Sequence, residues 1–185
     1  MSTENTLHIL IVDDQDAVHQ AFRSIFAGKT PEDDPKYAEF AALEKKLFGD
    51  DARNVVLDDN EENNPQAAEM ATKYLEQFTF ELTHAHQGQE ARELVFERAA
   101  KGLRYDVAFV DMRMPPGWNG METVEAIRKI DPTLPVVICT AYSDITWDEI
   151  VERMGAKPAI LFQKKPFLSK EIVQIAVEMS GKDEE

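Results

Sequence analysis

Short apolar runs alternate along the chain with stretches of helical periodicity. The candidate strands are His8–Val12, Phe80–Ala85, Val107–Val110, Val136–Cys139 and Ile160–Gln163. Three of them, HILIV, VAFV and VVIC, are almost unbroken in apolar residues, as strands buried on both faces should be. Between them lie helical stretches at Asp16–Phe26, Gln89–Ala100, Gly120–Ile130, Ile145–Met154 and Lys170–Met179. In the last, Ile172, Ile175, Ala176 and Met179 recur at helical spacing and predict one apolar stripe. Such alternation predicts an α/β fold, a doubly wound five-stranded parallel sheet with helices on both faces.

The segment Thr30–Pro65 breaks the alternation where a short connection between the first helix and the second strand is expected. It carries eleven Asp and Glu against four Lys and Arg, a net charge of −7. Pro35 is placed to open a helix, Tyr37, Phe40, Leu43 and Leu47 follow at near-helical spacing, and Gly49 is placed to close it. Asp50–Asn64 reads as loop, with Asn64 capping a second helix from Pro65 through Phe78. Met70, Tyr74 and Phe78 would line its buried side. The chain is thus expected to be one domain, residues 1–185, with a mostly helical insertion at 30–78. Its apolar stripes predict a segment that folds against the domain or forms a protein–protein surface.

The 185 residues suffice for one well-buried core, and 43% hydrophobic with 30% charged residues is the balance of a soluble globular protein. A net charge of −15 argues against a nucleic-acid or anionic-membrane surface, both of which need clustered Lys and Arg. No apolar stretch approaches the roughly 20 residues that span a bilayer. The single cysteine, Cys139, excludes an internal disulfide framework and, in an apolar run, reads as a buried small hydrophobe. No basic segment followed by a long apolar core opens the chain, so the expected location is the cytoplasm.

Ligand sites in open parallel sheets lie beyond the carboxyl ends of the strands. The first strand delivers Asp13 and Asp14 there, the third Asp111, the fourth Thr140–Ala141, and the fifth Lys164–Lys165–Pro166. Clustered carboxylates repel, and one is pushed to protonate unless a cation neutralises them. A hard divalent ion such as Mg²⁺ does so while retaining waters and accepting phosphate oxygens. One carboxylate can then act as nucleophile toward phosphorus, with Lys165 and the Thr140 hydroxyl supplying charge and a neutral donor.

The segments ILIVDDQD, YDVAFVDMRMP, VVICTAY and FQKKPF resemble, in order, the four signature segments of the response-regulator receiver family. The resemblance runs from about Leu7 to Met179, apart from the acidic segment. It implies a flavodoxin-like fold with Asp111 as phosphoacceptor. Asp14 would ligate Mg²⁺ directly, Asp13 mainly through water, and Arg113 through its backbone carbonyl. Thr140 would bond the phosphoryl group, Lys165 would pair with it ahead of a cis bond to Pro166, and Phe162 takes the place of the aromatic rotamer switch. The implied partners are a histidine kinase or phosphotransfer protein, together with a homodimer through the Ile145–Met154 helix, the fifth strand and the last helix. Four features depart from the pattern. They are the acidic insertion, the turn MPPGWNG one residue longer than the common form, Phe162 in place of tyrosine, and the bulky Arg113 and Tyr142. The last pair would stand where hydrolytic water approaches, which predicts a long-lived phosphorylated form.

Two other readings compete. A phosphohydrolase resembling the haloacid dehalogenase family would place an aspartate two residues after its nucleophile, where this chain has Arg113. A degenerate receiver that only binds partners would not need the acceptor, acidic pair, threonine and lysine together. His84 and His86 alternate on a strand without further ligands, and His19 reads as a helix residue. Lys164 reads as a surface residue, and Trp118 and Trp147 flank the site in loops. The segments DMRMPPGWNGMETV and ICTAYSDITWDEI resemble amino-terminal receivers of hybrid histidine kinases or cyclic-dinucleotide signalling proteins. Few residues follow the last helix, so the expected form is a single-domain regulator or the receiver of a longer protein.

Overall fold

Ten elements follow one another along the chain: β1 (Thr6–Val12), α1 (Asp16–Phe26), α2 (Pro65–Gln77), β2 (Thr79–Ala85), α3 (Gly88–Ala100), β3 (Val107–Asp111), α4 (Gly120–Arg128), β4 (Val136–Thr140), β5 (Ile160–Lys164) and α5 (Ser169–Ser180). They are seen in a computed structural model that describes residues 5–29, 65–140, 160–165 and 168–182, with Lys164 described by its backbone alone. The strands form one five-stranded parallel sheet in the order β2-β1-β3-β4-β5, and the fold is the doubly wound α/β arrangement expected. The predicted helices at Pro35–Gly49 and Ile145–Met154 lie outside the described residues, as do Asn64, Tyr142, Trp147 and Pro166.

Register explains why the strand ends meet. Val12 pairs with Val110, so Asp13 and Asp111 are the next residues of neighbouring strands. Asp111 pairs with Cys139, and Thr140 pairs with Lys164. Every residue of β3 is buried, as its unbroken VAFV run requires of a central parallel strand.

The chain divides into two compact units. One comprises His8–Asp14 and Leu82–Lys165. Its core includes Leu10, Val12, Val95, Val110, Met114, Met121, Ile127 and Ile138, with Phe162 packed against it half-buried. The helix ends here follow local chemistry. Asn119 accepts from the Glu122 N–H while the Glu122 carboxylate accepts from the Asn119 N–H, a reciprocal cap that starts α4. Gly102, at φ 71°, ends α3 in the left-handed conformation that spares glycine a steric penalty.

The other unit comprises Met1–Leu7, Gln15–Glu81 and Pro166–Glu185. Here α5 packs on α2 and α1. Val18, Ala21, Phe22 and Ile25 of α1 are buried with Ala71, Tyr74 and Phe78, and the Phe26 and Phe80 rings lie 4.8 Å apart. Two expectations are corrected here. Met70 is 40% exposed, because the buried line of α2 runs through Ala71, Tyr74 and Phe78. Met70 therefore lies about 100° round the helix from Ala71. On α5 the buried face is Ile172, Val173, Ala176 and Val177, with Ile175 and Met179 only half-buried at its margins.

Candidate functional site

At the carboxyl edge of the sheet, the ammonium of Lys165 stands between two carboxylates. Lys165 Nζ donates to Asp13 Oδ2 and to Asp111 Oδ1, each at 2.8 Å. All three groups are nearly out of water: Asp13 is 2% exposed, Asp111 7% and Lys165 6%. Backbone bonds fix the segments that carry them. The Asp13 N–H donates to the Ala85 carbonyl at 3.1 Å, and the Lys165 N–H to the Thr140 carbonyl at 2.8 Å. The Arg113 N–H donates to Asp111 Oδ2 at 2.8 Å, so both oxygens of Asp111 are engaged.

The electrostatics follow from this crowding. Burial opposes the charge of Lys165, but the carboxylates of Asp13 and Asp111 more than offset it and hold the lysine above its ordinary range. Burial raises Asp111, the neighbouring Asp13 charge raises it further, and Lys165 and the Arg113 N–H only partly counter this. Asp14 is also raised, first by burial and then by the charge of Asp111. One oxygen of Asp14, Oδ1, is buried without a hydrogen-bond partner among the described residues. In so acidic a cluster an orphaned carboxylate oxygen is costly unless a cation meets it.

The turn after Asp111 is closed by glycine. Gly120 lies so near the acceptor strand that a Cβ there would come 2.6 Å from the Asp111 carbonyl oxygen and 2.9 Å from Met112 Cα. Its N–H donates to the Met112 carbonyl at 3.0 Å. Within the turn Met114 is buried, the Pro115–Pro116 bond is cis, and the Gly117 N–H reaches the Met114 carbonyl at 3.1 Å.

Of the residues singled out from the sequence, Asp13, Asp111 and Lys165 are in direct contact. Asp14 is coupled to Asp111 and Lys165 through charge. Thr140 ends β4 half-buried, and Arg113 extends an exposed side chain from the turn. Lys165 was expected to meet a phosphoryl group, and in this structure it bridges Asp13 and Asp111 directly. Among the described residues, no three acidic, histidine or cysteine side chains converge as a ready-made metal cage, since Lys165 holds two of the three candidates. His86 is paired locally with Glu90, His19 is buried in α1, and Cys139 is buried in β4. Sequence reasoning missed Gln87, at the start of α3, whose Oε1 is also buried without a partner. The glycines at 88 and 117 were the available signal.

Comparison with known proteins bears on the family and the fold. The family model described as response regulator receiver domain matches residues 55–177. That span takes in Asp111, Thr140 and Lys165 and begins beyond Asp13 and Asp14. A cyclic di-GMP phosphodiesterase of Thermotoga maritima is 34% identical over 105 residues, 57% of this chain and 26% of that protein. The chain therefore spans about a quarter of that relative's length. The chemotaxis protein CheY of the same organism is 31% identical over 90 residues, 49% of this chain and 68% of its own. The crystal structure of a response regulator receiver protein from Sinorhizobium medicae superimposes with a TM-score of 0.55 at 16% identity, covering 95% of each chain. The last likeness concerns the fold. With the family model matching well over half its length, the chain belongs to the response-regulator receiver domains of two-component signalling.

Proposed function

We propose that this receiver is a phosphorylation-dependent signalling switch in which Asp111 takes a phosphoryl group from the phosphohistidine of a histidine kinase or phosphotransfer protein. The observation that carries the reading is the buried Lys165 ammonium on Asp111 Oδ1, beside an acidic pair with one orphaned oxygen. A carboxylate oxygen of Asp111 attacks phosphorus in line, the P–N bond breaks, and its electron pair returns to the imidazole. Lys165 exchanges a carboxylate for a phosphoryl oxygen, and the Thr140 hydroxyl donates to another.

The donor chemistry fits a hard cation: carboxylates of Asp13, Asp14 and Asp111, the Arg113 backbone carbonyl, and Asp14 Oδ1 lacking any other partner. These residues would hold Mg²⁺, which supplies the positive charge that offsets the carboxylates and the phosphoryl oxygens. As Thr140 is drawn inward, Phe162 packs further into the core it already touches. The surface of β5, α5 and the helix predicted at Ile145–Met154 would change with it, offering a homodimer or a partner contact. Receiver domains are signalling modules, and any catalytic output would belong to a larger protein or a partner. The cytoplasm suits such a partner. Among the described residues, no helix is long and apolar enough to cross a membrane.

The test is phosphotransfer from a phosphohistidine protein. The parent protein should gain one phosphate mass in the presence of Mg²⁺, while chelation or Asp111→Asn should prevent the gain. Equal labelling of Asp111→Asn would overturn the assignment.

A further inference from the structure

We infer that Gln87 is a positioning residue for the reaction at Asp111, acting as a prop under the lengthened turn Met114–Gly117. The inference rests on the phosphoacceptor reading above.

Three observations converge on this joint. Gln87 occupies the N-cap position of α3, yet its side chain makes no capping hydrogen bond. Its Oε1 is nevertheless buried and has no hydrogen-bond partner among the described residues. That oxygen sits where a side chain on Gly117 would project. A Cβ at Gly117 would overlap Gln87 Oε1 and come 3.0 Å from Gln87 Cδ and 3.1 Å from Gln89 Oε1. The next residue repeats the arrangement in reverse. A Cβ on Gly88 would overlap Thr123 Oγ1 and lie 3.1 Å from Trp118 Cβ. Two glycines, one on each side, thus let the turn seat directly on the start of α3. Neither has a positive φ, so close approach is what each allows.

The joint reaches both halves of the acidic site. On one side the chain just before Gln87 accepts the Asp13 N–H through the Ala85 carbonyl at 3.1 Å. On the other, Gly117 is bonded to Met114, and the same turn presents the Arg113 N–H to Asp111 Oδ2 at 2.8 Å. The Arg113 peptide also carries the carbonyl assigned to Mg²⁺. An amide whose buried oxygen has no partner among the described residues acts in this seat by its bulk. Removing that bulk lets the turn sag and misplaces the Arg113 peptide, while the helices stay folded.

The test uses Q87A, G117A, the double variant and Q87M, in the full chain. The readouts are the Kd for Mg²⁺ alone, the phosphorylation rate with phosphoramidate, Tm, and amide exchange at Arg113 and Gly120. Alanine at Gly117 evicts the Gln87 amide from the same seat, so the two changes remove one contact. Each single variant should weaken Mg²⁺ and slow phosphorylation about fivefold, and the double should be no worse than the weaker single. Q87M keeps the bulk without the amide and should stay within about twofold of the parent, with Tm unchanged throughout. Effects that multiply in the double variant, or an unchanged Mg²⁺ Kd in both singles, would overturn the proposal. Should the parent bind no Mg²⁺ and accept no phosphoryl group, the functional reading fails instead. Exchange then decides the joint: faster exchange at Arg113 and Gly120 in both singles supports it, and unchanged exchange overturns it.

Discussion

Lys165 balances the charge of the site, and its removal should show what that costs. In Lys165→Met the buried carboxylates of Asp13 and Asp111 lose their shared counter-charge. We expect a loss of about 3 kcal/mol in urea unfolding with chelator present, part of it regained when Mg²⁺ is added. An undiminished midpoint would contradict the bridging role. The pH dependence has a definite sign. The lysine's pKa is raised above the ordinary 10.5, so its stabilisation is complete below that value and is lost as pH rises through the higher folded one. On the alkaline side, parent and variant should therefore converge in stability only in strong base. Asp14 and Asp111 are both raised, first by burial and then by neighbouring carboxylates, so protons compete with a cation for them as the pH falls. Mg²⁺ affinity, followed by titration, should fall as pH drops toward the carboxylate range. Arg113 bears on lifetime. Its guanidinium cannot accept a proton from attacking water, and a tenfold slower attack needs only about 1.4 kcal/mol. Arg113→Asn with Tyr142→Glu should shorten the life of the phosphorylated form without abolishing its formation. An equal or longer decay time would remove the shielding role.

At the scale of elements, the strands were legible because HILIV, VAFV and VVIC are almost unbroken in apolar residues. The helical stretches expected from Asp16 and from Gly120 begin at those residues, as α1 and α4. What was not legible is what depends on a neighbouring element. Met70, Tyr74 and Phe78 read as one face until Ala71 proves to be the residue turned inward, which leaves Met70 outside. Nothing in the string FQKKPF shows that Lys165 clasps Asp13, 152 positions away. Gln87 is marked only by the glycines at 88 and 117, and the second of these lies thirty positions on. The reciprocal cap at Asn119 was equally unforeseen. It ties the acceptor turn to α4, so Asn119→Ala should cost about 1 kcal/mol in unfolding free energy. An unchanged denaturation midpoint would show that the turn is held by Gly120 and Thr123 without it.

For the molecule as a whole, the insertion expected at 30–78 falls within the described residues only at 65–78. Residues 65–78 carry Ala71, Tyr74 and Phe78 into a buried core, and α2 packs on α5, so this stretch is part of the packed body of its unit. Deleting residues 30–64 should leave Mg²⁺ binding intact. Extending the deletion through Gln77 should abolish cooperative unfolding in circular dichroism, since truncating one buried aromatic alone costs about 3–5 kcal/mol. The charge balance now has a local meaning as well. A chain of net charge −15 places a buried lysine between two carboxylates of its acidic edge. The central claim is that Asp111 is where phosphorus arrives. Borohydride reduction of the phosphorylated protein converts an aspartyl phosphate to homoserine, which peptide mass spectrometry locates. The account predicts homoserine at position 111 and nowhere else, whereas homoserine at 13 or 14, or phosphate retained on a histidine, would contradict it.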